Sequence, residues 1–413
     1  MRVLLLPMGS AGDVHPFLGI GVELKKRGHE VIAIVNEHFK KAALDAGLNY
    51  VKFGTATDFR KISDDPDLWN PKKGLEVIFN KGVLPNLEPA MKLVTEQHKA
   101  GDTILLSGTL GLAARCASEK LNIPMATCHL APSCFLSTYR TPKIEGVPMP
   151  DWAPRIWKRF VWWAGVKLTD KVITPELNRF RTKHGLKPVN RIIENWWHSP
   201  DKLLGLWPEW FGPKQPDWPS HATLTGFPMF DEAGQHDVDS ELEEFLTAGT
   251  PPVVFAPGSA NSHGTSFFAD AVNICNNTSQ RGILLTPYPE TVPADLPDTV
   301  KHLNYVPFSE VLPRSRALVH HGGIGTTAQA MRAGIPHFIR NLAHDQRDNL
   351  SRLRELGVGD GMNARKFNSK SGTHMLNKIL NNNSIADNCK VVASKFEPEN
   401  WMQKTIKEIE SLL

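Results

Sequence analysis

The first 35 residues change hydrophobic period twice, and this restricts the chain to very few architectures. Residues 3–6 form a short apolar run that reads as a parallel strand buried on both faces. A glycine-containing loop follows over residues 7–16. Phe17, Ile20 and Leu24 then recur at helical spacing until Gly28 stops the pattern, and residues 31–35 form a second apolar run. This is a βαβ unit, whose parallel strands need helices on the sheet faces. The rhythm continues with strands at 103–106 and 125–129 around a helix at 110–120. After an acidic stretch it restarts with apolar runs at 253–256, 283–286, 317–320 and 337–339.

A chain of 413 residues exceeds one ordinary core and suits two domains of roughly 200 residues. The expected fold class is therefore α/β, with two facing doubly wound Rossmann-like domains. The first spans 1–230 and the second 245–396. Residues 231–244 form a polar linker, and an amphipathic helix at 397–413 packs back. Ligands of such sheets lie beyond the carboxyl ends of the strands, so two facing sheets imply two ligands in one cleft.

Composition excludes several classes. The net charge of +4 is small for this length, and no dense basic run interleaves with aromatics, so nucleic acid is not an expected partner. The five cysteines include no CxxC pair, which favours reduced thiols and a cytoplasmic protein. No segment approaches the ~20 apolar residues of a membrane span. Residues 151–168 mix Trp with Arg and Lys. That is the composition of an interfacial helix, so peripheral contact with the inner face of a membrane is a further expectation.

The strongest functional signal is ALVHHGGIGTT over residues 317–327. A buried run ends at His320, a glycine loop follows, and Thr326 is expected to open a helix. Glycines allow close backbone approach, and a helix start offers free N–H groups to an anion. The loop lacks the Lys of a Walker motif and the acidic ribose partner of a dinucleotide fingerprint. Spacing alone also fits a glycine turn without a ligand.

His321 to Thr327 resembles the nucleotide-binding signature of GT-B glycosyltransferases related to the UDP-glycosyltransferases and the antibiotic glycosyltransferases. Matching pieces stand around it in order: NYVPFSEVLP at 304–313, AGIP at 333–336, DQRDN at 345–349 and LGVG at 356–359. The resemblance implies that Tyr305 stacks on the base while the Val306 backbone reads its edge. It implies that His321, Gly323, Gly325, Thr326 and Ser259 hold the pyrophosphate, and that Asp345 and Gln346 bond sugar hydroxyls. Phe308 departs from the plant pattern, which has Gln there.

GSAGDVHP at 9–16 resembles the opening loop of the same family, and the resemblance makes Asp13 the base that takes the acceptor proton. A helix cap is the alternative role for Asp13, and His15 is the rival base, since an unperturbed imidazole is closer to neutrality than a carboxyl. Ser107 stands where the plant pattern has an Asp that steadies a catalytic His, so that dyad is absent. Other pieces, such as 193–200 and 225–231, resemble the rhamnosyltransferase catalytic subunits of rhamnolipid synthesis. Phe135, Trp152, Trp157, Trp162, Trp163, Trp196 and Trp197 would then offer apolar wall to an acceptor.

The expected function is thus an inverting, metal-independent hexosyltransferase without cofactor. It would act from a nucleotide diphosphate sugar, with UDP-glucose preferred, onto a hydroxyl of an apolar small-molecule or lipid acceptor. The alternatives are a dTDP-rhamnose-dependent enzyme of glycolipid synthesis, a GT-B sugar-nucleotide epimerase, and a catalytically silent homologue that binds lipid or a partner. The acidic groups at 64–67 and 237–239 read as solvated loops rather than metal sites.

Overall fold

The computed structural model describes residues 1–147, 149–231, 240–258 and 264–412. The chain forms two compact units: residues 1–230 with 398–413, and residues 231–397. Each is a parallel sheet flanked by helices.

The first sheet contains β1 (Arg2–Leu6), β2 (Glu30–Val35), β3 (Asn49–Lys52), β4 (Thr103–Ser107), β5 (Met125–His129), β6 (Lys202–Gly205) and β7 (Ala222–Leu224), in the order 3-2-1-4-5-6-7. Every pairing is parallel. The uninterrupted apolar runs have a simple cause. Leu4, Leu6, Ile32, Ile34 and Leu105 enter one core layer, while Val3, Leu5, Val31, Ala33 and Leu106 enter the layer on the opposite face.

The first helix is Ala11–Lys26 and begins six residues before the expected start at Phe17. Ser10 is its N-cap, and Asp13 is the third helical residue rather than a loop residue or the cap itself. The S-x-x-D pattern carried this signal in the sequence. Pro16 lies inside the helix, where it lacks the N–H that would bond the Gly12 carbonyl.

The Trp-rich stretch becomes the start of a 29-residue helix, Arg155–Lys183. Among the aromatics expected as acceptor wall, Phe135 and Trp162 belong to the core, 1% and 9% exposed. Trp196 and Trp197 pack against the core layer, whereas Trp152, Trp157 and Trp163 are exposed.

The second sheet contains β8 (Val253–Ala256), β9 (Gly282–Leu285), β10 (Val300–Leu303), β11 (Ala317–His320), β12 (His337–Asn341) and β13 (Gly359–Asn363), in the order 10-9-8-11-12-13. Ser240–Thr247 is helical, and its Leu242 and Leu246 enter the second unit's core. The second unit therefore begins within the stretch read as linker, of which 232–239 lies outside the described residues.

The C-terminal helix Pro398–Glu410 returns to the first unit. Ile406 and Ile409 are fully buried in the layer that holds β1. Trp401 lies against Gly226, where a Cβ would come within 2.2 Å of its ring. Glu410 pairs with Arg27 at 2.7 Å and Glu408 with Lys202 at 2.9 Å.

Ile406→Ala should cost the first unit about 2–5 kcal/mol, the usual range for deleting a buried aliphatic side chain. Hydrogen exchange read by mass spectrometry should show faster exchange in residues 398–410, with the peptides of β8 and β11 unchanged.

Candidate functional sites

Both sheets reverse their winding beside their first strand, between β1 and β4 in one and between β8 and β11 in the other. At such a switch point the connecting helices leave on opposite faces, and a crevice opens at the carboxyl ends of the strands. The motifs singled out from the sequence fall on these loops.

In the second unit the loop after β11 leads into the helix Ile324–Ala333. Its N-cap is Gly323, so Thr326 lies in the first turn instead of opening the helix. The first intrahelical bond runs from Thr327 N–H to the Gly323 carbonyl at 2.9 Å, which leaves the amides of Ile324, Gly325 and Thr326 without helical acceptors. These amides and the helix dipole favour an anion.

Glycine is required in this loop for definite reasons. Gly322 has φ +92°, and a Cβ there would stand 2.8 Å from Ile339. The His321 ring lies between Gly258, at φ +103°, and Gly323, where a Cβ would approach Nε2 to 2.4 Å. The ring is enclosed, and among the described residues its Nδ1 has no hydrogen-bond partner. Burial pulls its pKa down to about 4, against a smaller opposing effect of a hydrogen bond to the Ala256 backbone. His321 is therefore a neutral imidazole at pH 7, with a single N–H and no positive charge. Ser259 lies outside the described residues.

Beneath the loop, His320 Nδ1 accepts the Gly322 N–H at 3.2 Å. The ring proton therefore sits on Nε2, which points at His337 Nδ1 3.3 Å away. Burial holds both rings neutral, with His337 lowered to about 3.

The DQRDN segment joins the same site through Asn349, a residue given no role from sequence. Its Nδ2 donates to the Gly322 carbonyl at 2.9 Å and to Asp345 Oδ2 at 2.8 Å. The start of the helix Gln346–Leu356 is thereby tied to the glycine loop. Asp345 is its N-cap and is partly exposed. Gln346 is 2% exposed, and its Oε1 accepts from the Leu342 and Ala343 amides at 2.7 and 3.2 Å. Its carbonyl oxygen thus shapes the loop after β12, and only its amide NH₂ is left for a ligand.

Tyr305 follows β10 at the same edge with 46% of its surface exposed, while Val306 is buried. The Tyr305 hydroxyl donates to the Asp231 carbonyl at 2.9 Å, and Asp231 Oδ2 accepts the Ser309 N–H at 2.7 Å. Phe308 begins a short helix, Phe308–Val311, and packs on the core.

In the first unit Asp13 folds back on its own helix start. Its Oδ2 accepts the Ser10 N–H at 2.8 Å and the Ser10 hydroxyl at 3.1 Å. Gly9, at φ +132°, makes room, since a Cβ there would lie 2.2 Å from that oxygen. Both bonds fall on one oxygen, so Oδ1 is the atom left to take a proton. Burial raises the carboxyl's pKa above the ordinary value, and the two Ser10 bonds oppose the rise.

His15 is two residues further along the helix and faces elsewhere. Its ring meets the edges of Phe39 and Phe230, with centroids 6.4 and 6.1 Å away. Ser107 is buried and donates to the Leu6 carbonyl at 2.6 Å. Beyond it, Thr109 Oγ1 contacts His129 Nδ1, and His129 Nε2 contacts His198 Nδ1, both at 2.9 Å. Burial keeps both these histidines neutral, His198 with a pKa near 4. The acidic residues at 65 and 67 pair with Lys81 and Lys73. Those at 237 and 239 lie outside the described residues.

Two doubly wound parallel-sheet units, with an anion-ready glycine loop in the second, have the architecture of GT-B glycosyltransferases. Comparison with known proteins agrees. The model of the glycosyltransferase family 28 N-terminal domain matches residues 3–139. That of the erythromycin biosynthesis protein CIII-like C-terminal domain matches residues 287–412.

O-mycaminosyltylonolide 6-deoxyallosyltransferase of Streptomyces fradiae is 29% identical over 373 residues, covering 87% of this chain and 84% of that protein. Sterol 3-beta-glucosyltransferase of Komagataella phaffii is 25% identical over 430 residues, covering 98% of this chain but 34% of the yeast protein. The crystal structure of the kitacinnamycin glycosyltransferase superposes with a TM-score of 0.74 at 19% identity, covering 100% of this chain and 99% of that one. The fold is that of GT-B glycosyltransferases, and these matches support a glycosyltransferase of the antibiotic type.

The buried histidines make stability depend on pH with a definite sign. A ring whose folded pKa lies below about 6.5 leaves the folded state holding fewer protons than the unfolded state. Stability is then complete above pH ~6.5 and is lost as pH falls towards about 4, where His198 and His321 titrate. His129, His320 and His337 act in the same direction. Asp13 acts oppositely but is a single group. The thermal midpoint followed by circular dichroism should fall steadily between pH 6.5 and 4.5, and a flat profile would contradict the neutral rings.

Proposed function

We propose that the chain is an inverting, metal-independent hexosyltransferase that uses a nucleotide diphosphate sugar and an apolar acceptor. The observation that carries this reading is the Asn349 tie between the glycine loop and Asp345. It joins an anion-binding helix start to a carboxylate suited to vicinal hydroxyls on one rigid support.

In this reading the backbone amides of Gly323, Gly325 and Thr326, the Thr326 hydroxyl, Ser259 and the neutral His321 receive the diphosphate. Tyr305 offers its exposed ring to the base, and the Val306 backbone reads the base edge. Asp345 and the Gln346 amide take sugar hydroxyls. The acceptor hydroxyl oxygen forms a bond to the anomeric carbon as the carbon–oxygen bond to the diphosphate breaks. The electron pair leaves with the diphosphate, and Asp13 Oδ1 takes the acceptor proton. Preorganised amide donors and a helix start supply the charge stabilisation that a metal ion would otherwise give. His15 is the weaker candidate for base, since its ring is packed between two phenylalanines.

UDP-glucose is the proposed donor. The full HGGIGTT sequence matches the general UDP-sugar pattern, and a relative that transfers glucose to sterol spans nearly this whole chain. A deoxysugar donor such as dTDP-rhamnose is the second reading, favoured by the likeness to a deoxyallosyltransferase. The sterol transferase also supports an apolar acceptor.

Two experiments test the proposal. Turnover of UDP-glucose, other UDP-hexoses and dTDP-rhamnose with sterol, hydroxy-fatty-acid and phenolic acceptors is read by mass spectrometry, with and without EDTA. UDP-glucose should give the highest kcat/KM, with activity retained in chelator. Loss in EDTA restored by manganese would overturn the metal-independent step.

In the second, Asp13→Asn should lower kcat by about 10²–10⁴-fold with little change in donor affinity. The base must be ionised to work, so wild-type kcat should fall as pH drops through a pKa above the usual Asp value. A near-normal kcat in Asp13→Asn, with activity abolished in His15→Ala, would transfer the role to His15.

A further inference from the structure

We propose that the first half of the long helix Arg155–Lys183 is a docking surface for an anionic lipid bilayer. The inference is independent of which sugar or acceptor the enzyme uses. At 1.5 Å per residue this helix spans roughly 43 Å, whereas a five-residue strand spans about 17 Å. It is thus far longer than any strand it accompanies.

Its second half is anchored. Ile173, Leu177 and Phe180 enter the core layer, and the Asp170 carboxylate accepts the Arg191 and Ile192 amides at 2.7 and 3.0 Å. In the first half, Trp162 and Val166 are buried together with Lys158, which donates to the Asp151 carbonyl at 3.1 Å. The opposite face carries large apolar side chains in the open.

Ile156, Phe160 and Trp163 are 79%, 54% and 59% exposed and follow one line along the helix, four and three residues apart. Phe160 is 5.9 Å, centroid to centroid, from both Trp157 and Trp163, so the rings form a continuous surface. At the head of the helix Trp152 is 84% exposed. It joins Pro150, Ala153, Pro154 and Trp157 around an apolar hollow of about 330 Å³. Scattered exposed apolar residues are ordinary, but a contiguous aromatic stripe marks an interaction surface.

Charge identifies the occupant. Arg155, Arg159, Lys167 and Lys171 are exposed on this helix, and its sequence contains no acidic residue before the buried Asp170. Lys167 continues the line of Ile156, Phe160 and Trp163, where its long stem can follow the apolar face while the ammonium reaches lipid phosphate. Arg155 stacks on the exposed Tyr139 ring, with its guanidinium carbon 3.8 Å from the centroid. Indoles and cations on one exposed face suit the boundary between acyl chains and anionic headgroups. Among the described residues no helix is long and apolar enough to cross a membrane, so the helix would lie on the bilayer.

The test uses the purified full chain and vesicles of phosphatidylcholine alone or mixed equally with phosphatidylglycerol. The chain should sediment with the anionic vesicles, and molar salt should release it as the Debye length shrinks to about 3 Å. Brominated lipid should quench its tryptophan emission. The triple variant Ile156→Ser, Phe160→Ser, Trp163→Ser and the double variant Arg159→Glu, Lys167→Glu should each bind at least about tenfold more weakly, with thermal midpoints like the wild type.

Absence of binding to anionic vesicles would overturn the proposal, as would binding by both variants at the wild-type level. So would a concentration-dependent dimer that the triple variant abolishes, since a second copy would then cover the face. A raised KM for a short soluble acceptor with unchanged vesicle binding would make the stripe acceptor wall instead. Sedimentation requires no turnover, so its outcome is separate from that of the glycosyl-transfer assays.

Discussion

The reversal of winding beside the central strand of each sheet is the constraint on which the rest depends. Parallel strands must be joined by crossovers on the same hand. A sheet that grows outward from its first strand in both directions therefore sends successive helices to opposite faces. Their divergence leaves room at the carboxyl edge, and there the glycines at 9, 258 and 322 take positive φ. Both faces of the sheets must then be apolar, which is why β4, β5, β8 and β11 are buried along their whole length, and β1 from Val3 onward.

Within that frame the two loops solve different electrostatic problems. The second unit leaves amides of a helix start without intrahelical partners and sets neutral imidazoles in and beneath the loop that leads to them. A positive ring would repel the positive end of the helix dipole and would itself be desolvated, and burial prevents that charge. The first unit keeps a carboxylate in a crowded place where, among the described residues, it accepts two hydrogen bonds, both on one oxygen. Desolvation then outweighs those bonds and makes the group a better proton acceptor than an exposed aspartate.

The long helix separates structural from surface roles along its own length. Its carboxyl half supplies core residues and an aspartate that holds two backbone amides, while its amino half buries one face and leaves aromatics in the open on the other. The same residue types therefore have opposite meanings a few positions apart: Trp162 is core and Trp163 is surface.

Much of this was legible in the chain itself. Apolar runs of four to five residues, separated by helical spacing and punctuated by glycine, can be satisfied only by parallel strands covered on both faces. Hence the α/β class, the two units and the motif loops could be read without coordinates. Ser10-x-x-Asp13 also encoded the early start of the first helix, because a cap and its reciprocal carboxylate are local in sequence. Tertiary structure decided what depends on distant partners. Asn349 meets Gly322 across 27 residues, and Gln346 turns its carbonyl onto the loop before it. Ser107 commits its hydroxyl to Leu6, 101 residues away. Whether a tryptophan is wall, core or surface depends on which side of a helix meets the rest of the fold, and local spacing could not supply this because the packing partners are distant in sequence.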